Sequence, residues 1–107
     1  MSYGPPTFDD IGHEIHQIAT SKGWTTPTRF DEVESISTHL CLIHSEVSEA
    51  LEAVRDNDPE NFAEELADIM IRTIHLAHGL GVNLDSGVRM KIEKNRGREY
   101  QHGGKRI

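Results

Sequence analysis

Two apolar series, each stepping by four and three residues in strict alternation, flank a single Asp-Pro break. Before it run Ile36, Leu40, Ile43, Val47, Ala50 and Val54; after it run Phe62, Leu66, Ile69, Thr73, Leu76 and Leu80. Such steps mark one face of a helix turned toward a neighbour, the a and d positions of a heptad. At the break, Asp58 suits an N-cap and Pro59 the first helical position. The spacing therefore predicts one helix from near Asp31 to about Arg55 and another from Pro59 to about His78, folded back as an antiparallel hairpin.

Two carboxylate pairs sit about equally far either side of that break, Glu46/Glu49 and Glu65/Asp68. Residues three apart share a helix face, and the heptad register puts Glu46 and Glu65 at g and Glu49 and Asp68 at c. Closing the hairpin sets one pair opposite the other. Four acids gathered in this way repel and raise one another's pKa unless something neutralises them. Hard oxygen ligands suit Mg²⁺ or Mn²⁺, so a divalent-metal site is the leading explanation. A charged flank on an ordinary helical hairpin is the alternative that spacing alone leaves open, and Glu52, Glu60 and Glu64 read as plain solvated residues.

Elsewhere the pattern is helical too. Phe8, Ile11, Ile15 and Ile18 predict a first helix capped by Asp9 or Asp10 and closed by Gly23. Trp24 follows in a turn-rich stretch, where it is either a packing anchor or a platform for a nucleobase. Gly79 or Gly81 closes the third helix, and Asn83 or Asp85 opens a fourth that runs to about Asn95 or Arg96. The third helix carries a second apolar stripe, Ala63, Ala67, Met70, Ile74 and Ala77, which predicts burial on two sides. The expected fold is all-α: about four helices in one domain spanning residues 1–107, bundled around the hairpin and completed by dimerisation, with residues 1–7 and 97–107 as irregular tails.

Charge divides the chain. Residues 1–88 hold 4 Lys+Arg against 16 Asp+Glu, while residues 89–107 hold 7 against 2. An acidic body argues against a nucleic-acid polymer as partner, whereas a metal site beside a local basic cluster suits a small phosphorylated ligand. The single cysteine, Cys41, excludes an intrachain disulfide and reads as a small core residue. No leader or membrane-length apolar run is visible, so cytoplasm is the expected compartment and no membrane partner is expected. His13/His16 and His75/His78 are each three apart, but with neither a cysteine nor an acid read at helical ligand spacing to complete a tetrahedral set, zinc is not expected there. The Glu-x-x-His spacing of di-iron bundles occurs only at Glu99 and His102, in the tail.

The run His44-Ser45-Glu46-Val47-Ser48-Glu49-Ala50-Leu51-Glu52, followed by Glu65-Leu66-Ala67-Asp68, resembles the Glu-x-x-Glu … Glu-x-x-Asp signature of the MazG-like nucleotide pyrophosphohydrolases. Lys91, Asn95, Arg98, Tyr100 and His102-Gly103-Gly104-Lys105 are similar to the ending of small single-domain members, and Lys22-Gly23-Trp24 to the end of their first helix. The resemblance implies an all-α homodimer or homotetramer that hydrolyses a nucleoside triphosphate to monophosphate and pyrophosphate with Mg²⁺, Mn²⁺ being a possible substitute. It implies Glu46, Glu49, Glu65 and Asp68 as metal ligands and catalytic acids, with Glu49 the choice for a proton-accepting carboxylate. Lys91, Lys94 and Arg98 would counter pyrophosphate charge, Asn95 would bond a phosphate or sugar oxygen, and Tyr100 and Trp24 would complete the substrate site. Similar sequences often place Asp where this chain has His75, after Ile71-Arg72-Thr73-Ile74. The rival readings are a non-catalytic helical dimerisation module and a related enzyme acting on phosphoribosyl-ATP.

Overall fold

Local backbone chemistry decides where each helix starts and stops. The computed structural model describes residues 4–98, which form α1 (Phe8–Ser21), α2 (Val33–Arg55), α3 (Pro59–Gly79) and α4 (Leu84–Arg96). The cap of α1 is Thr7, earlier than Asp9 or Asp10: its hydroxyl accepts from the Asp10 N–H at 3.1 Å while the Asp10 carboxylate accepts from the Thr7 N–H at 2.9 Å. Asp10 is thus the acidic half of a capping box. Asp58 and Asn83 cap α3 and α4 through their side chains. Helices α1, α2 and α3 all end in paired backbone bonds of Schellman type, with Gly23, Asn57 and Gly81 at positive φ, the left-handed turn that stops a helix while satisfying its last carbonyls.

The turn between α2 and α3 is only three residues long, so the two helices lie antiparallel and pack extensively. Helix α1 covers α3, and α4 packs on α1; the Phe8 N–H donates to Asp85 Oδ1 at 3.0 Å, tying the two N-termini together. Among the described residues there is no strand, and no helix is long and apolar enough to cross a membrane.

The packed face differs from the a/d seam read from sequence. On α2 the inward line is Ile36, His39, Ile43, Glu46, Ala50 and Ala53, the d and g positions, while the a-position residues Leu40, Val47 and Val54 are exposed, the last by 60%. On α3 the matching line is Glu65, Ile69, Arg72 and Leu76, and Leu66 faces out. Both helices are turned so that the acids enter the interface and small Ala50 and Ala53 let the backbones close. Cys41, expected in the core, is exposed, since it follows the a-position Leu40 and lies off both faces. Of the second α3 stripe, Ile74 and Ala77 are covered or partly covered, but Ala63, Ala67 and Met70 are not.

The segment between α1 and α2 is pinned by Pro27, which is fully buried. A Cβ on Gly79 would lie 2.6 Å from the Pro27 carbonyl oxygen. Replacing glycine with alanine in a helix ordinarily stabilises it by up to about 1 kcal/mol. Here Gly79→Ala is expected to destabilise by about 1–3 kcal/mol through the clash, read as a lower urea midpoint with an unchanged slope.

Candidate metal centre

The rotation of α2 and α3 brings Glu46, Glu49 and Glu65 together: one carboxylate oxygen from each lies within 4.8 Å of the others. Glu46 and Glu65 are each 9% exposed, whereas Glu49 sits at the solvent rim. Asp68, one turn beyond Glu65 and one methylene shorter, stays exposed and outside this trio. The structure thus gathers three of the four predicted acids.

Two atoms in the cluster are unusual. Glu46 Oε2 and Glu65 Oε2 are buried with no hydrogen-bond partner, a costly state for an ionised carboxylate. A proton held between them, an ordered water or a cation can relieve it. The Glu46 carboxylate, then burial and then the neighbouring Glu49 push Glu65 up to about 7. Glu46 is held below the ordinary carboxylate value, first by the proton that Glu65 offers it and then by Arg72. The donor set is all oxygen, in which burial fixes two ligands and exposure leaves the third adjustable. It fits a hard divalent cation.

Arg72 is the cluster's cationic partner that reading by spacing missed. Its Nε donates to Glu46 Oε1 at 3.1 Å, and its side chain is 40% exposed. The signal was available, since Arg72 follows Glu65 by seven residues and so shares its face two turns on. Beyond the ion pair, Arg72 lines an open cleft of about 520 Å³ with Trp24, His39 and His75. Trp24 is 65% exposed there, its ring free to stack. Burial, then the neighbouring His16, His39 and His78, lower the His75 pKa, so it is neutral at pH 7, and its Nε2 lies 3.4 Å from Thr26 Oγ1.

The expected phosphate-binding residues fall elsewhere. Lys91, Lys94, Asn95 and Arg98 are all exposed, on α4 or just after it, and among the described residues no ion pair joins them to the carboxylates. Tyr100, with the rest of residues 99–107, lies outside the described residues.

The sequence model of the MazG-like family matches residues 32–106, covering both carboxylate pairs and the basic tail. The chain belongs to the MazG-like family. No curated protein matches the chain, and no solved structure does. MazG-like membership is compatible with a nucleotide pyrophosphohydrolase, and divalent-metal use in that family agrees with the Glu46, Glu49 and Glu65 cluster.

Because Glu65 binds its proton more tightly folded than unfolded, its contribution to stability is full below about 4.5 and is lost as pH rises through about 7. Glu46 titrates with the opposite sign, below its ordinary value. In chelator, Tm is therefore expected to fall between about pH 4.5 and 7, the window set by the Glu65 shift, and Glu65→Gln should flatten that fall. Mn²⁺ or Mg²⁺ should raise Tm more at pH 8 than at pH 6, since a ligand must shed its proton to bind metal.

Proposed function

We propose that this chain is a divalent-metal-dependent nucleoside triphosphate pyrophosphohydrolase, releasing pyrophosphate and leaving the monophosphate, with a role in clearing unwanted nucleotides. The observation that carries the reading is the pair of buried, unpartnered oxygens on Glu46 and Glu65, in a carboxylate cluster completed by Glu49 at the rim, in a MazG-like chain.

In this reading Glu46, Glu49 and Glu65 hold the cation, and Asp68, one turn on, is the fourth acid within reach of the same substrate. When bound, Mg²⁺ or Mn²⁺ supplies charge neutralisation for the triphosphate and lowers the pKa of water. Arg72 fixes the orientation of Glu46 and turns its remaining donors toward the cleft, where a triphosphate would meet positive charge. Glu49, exposed and uncommitted to any ion pair, accepts the proton from the attacking water. Trp24 and neutral His75 provide an aromatic wall for a base. Lys91, Lys94, Asn95 and Arg98 supply exposed cationic and amide groups to the departing pyrophosphate; positioning and charge stabilisation dominate chemistry of this kind.

The chain is also proposed to work as a homodimer or larger homo-oligomer. Leu40, Val47, Leu51 and Val54 of α2 and Leu66, Met70 and Ile71 of α3 are each between 45% and 60% exposed. Contiguous apolar exposure on this scale favours a subunit interface. Light scattering is expected to give at least twice the monomer mass of 12.0 kDa, and Val47→Glu is expected to shift it toward monomer.

Pyrophosphate release from a panel of ribo- and deoxyribonucleoside triphosphates should be seen with Mg²⁺ or Mn²⁺ and abolished by chelator. Glu49→Gln is expected to lower kcat by at least about 100-fold, and Asp68→Asn to lower it less, each with unchanged helicity. Turnover in chelator, or full activity in Glu49→Gln, would exclude the mechanism; a folded chain inert toward the whole panel would exclude the general triphosphatase.

A further inference from the structure

At the opposite end of α3 from the carboxylates lies a second cluster of a different chemical kind. Asp9 and His13, one turn apart on α1, meet His78 in the last turn of α3. Asp9 Oδ2 is 3.5 Å from His13 Nε2, and Asp9 Oδ1 is 3.5 Å from His78 Nδ1. The two imidazoles meet edge to face with centroids 4.6 Å apart. One donor atom from each of the three lies within 4.8 Å of the others.

These separations are too long for good hydrogen bonds, which run from about 2.7 to 3.2 Å. Each is close to the edge of a coordination tetrahedron, since metal bonds of 2.0–2.1 Å place ligand atoms about 3.3–3.4 Å apart; the two contacts use the two different oxygens of Asp9, so one shared ion would draw that exposed carboxylate round onto it. Gly12 is what permits the approach. It is buried in mid-helix, where glycine costs about 1 kcal/mol, and a Cβ there would lie 2.9 Å from His78 Cβ. The absent side chain lets His78 press against the α1 backbone beside His13.

The geometry points to a transition-metal site of the zinc class formed by Asp9, His13 and His78. Two imidazoles and one carboxylate select a borderline ion over Mg²⁺, and three protein ligands leave a fourth position open. His13 and Asp9 are about two-thirds exposed and His78 is largely covered, so one ligand is anchored while the other two face solvent and admit the ion. The open side gives onto a cleft of about 420 Å³ that Asp9 and His78 share with Asn83 and Asp85. His78 follows Glu65 by thirteen residues, roughly 20 Å along the helix, so this site is separate from the hard-cation centre and independent of any activity there. The expectation that no acid stands at helical ligand spacing from either His-x-x-His pair is corrected here, since Asp9 lies one turn before His13. The set is instead one histidine from each pair plus Asp9, four residues before His13.

Zn²⁺ binding is tested on the full chain, free of any affinity tag, in excess Mg²⁺ and in competition with a chromophoric chelator. The expected result is one Zn²⁺ per chain, and Co²⁺ loading should give the intense visible absorption of a tetrahedral centre. Asp9→Asn and His13→Ala, both at exposed positions and so expected to keep wild-type helicity, should each weaken Zn²⁺ by more than the roughly 10–100-fold that loss of an outer-shell partner costs. Glu65→Gln should leave Zn²⁺ affinity unchanged. No stoichiometric Zn²⁺ in the wild type, or Zn²⁺ retained in both Asp9→Asn and His13→Ala, or affinity lost in Glu65→Gln, would overturn the site.

Discussion

The opposition of the Glu46 and Glu65 carboxylates across the hairpin is the constraint on which the rest of the structure depends. Two acids removed from water repel and lose hydration, a combination that proteins tolerate only with compensating charge. Arg72 compensates one oxygen of Glu46 from within the chain. The remaining oxygen on each acid has no hydrogen-bond partner. The chain therefore carries an unsatisfied demand at its centre, and that demand is the physical reason the cluster could hold a metal.

Accommodating those acids alters the packing around them. With g positions drawn into the α2–α3 contact, the a-position aliphatics turn outward, and Ala19, Ala50, Ala53, Ile74 and Leu76 are the apolar helix side chains that remain buried among the described residues. Three of these five are alanines, which contribute little apolar area. Close approach substitutes for bulk, as where Gly79 meets the Pro27 carbonyl and Gly12 meets His78. The outward aliphatics then become the natural material for a second subunit.

Much of this was legible in the sequence. Asp58-Pro59 marked the α2–α3 break, Asn83 and the glycines marked helix ends, and the symmetric acid pairs marked the site, because caps and spacing are local properties. What escaped was the rotation of each helix about its own axis. The heptad pattern offered two nearly equivalent faces, and apolar content alone favoured a/d over d/g. The structure takes the face with acids on it, which moved Leu40 and Val47 outward, brought Arg72 in and left Asp68 beside the trio. Long-range approach was invisible for a similar reason: nothing near Asp9 and His13 announces that His78 will arrive.

The three-residue turn at 56–58 carries an implication of its own. Glu46 and Glu65 are joined by an interval of nineteen residues that is nearly all helix. A residue added between Pro59 and Glu65 would swing Glu65 about 100° around its axis and point it away from Glu46, though every carboxylate would still be present. A deletion there would do the same in the other sense. Many substitutions in this interval change only a surface, but any change in its length scatters the ligands. The centre is encoded by counting as much as by chemistry.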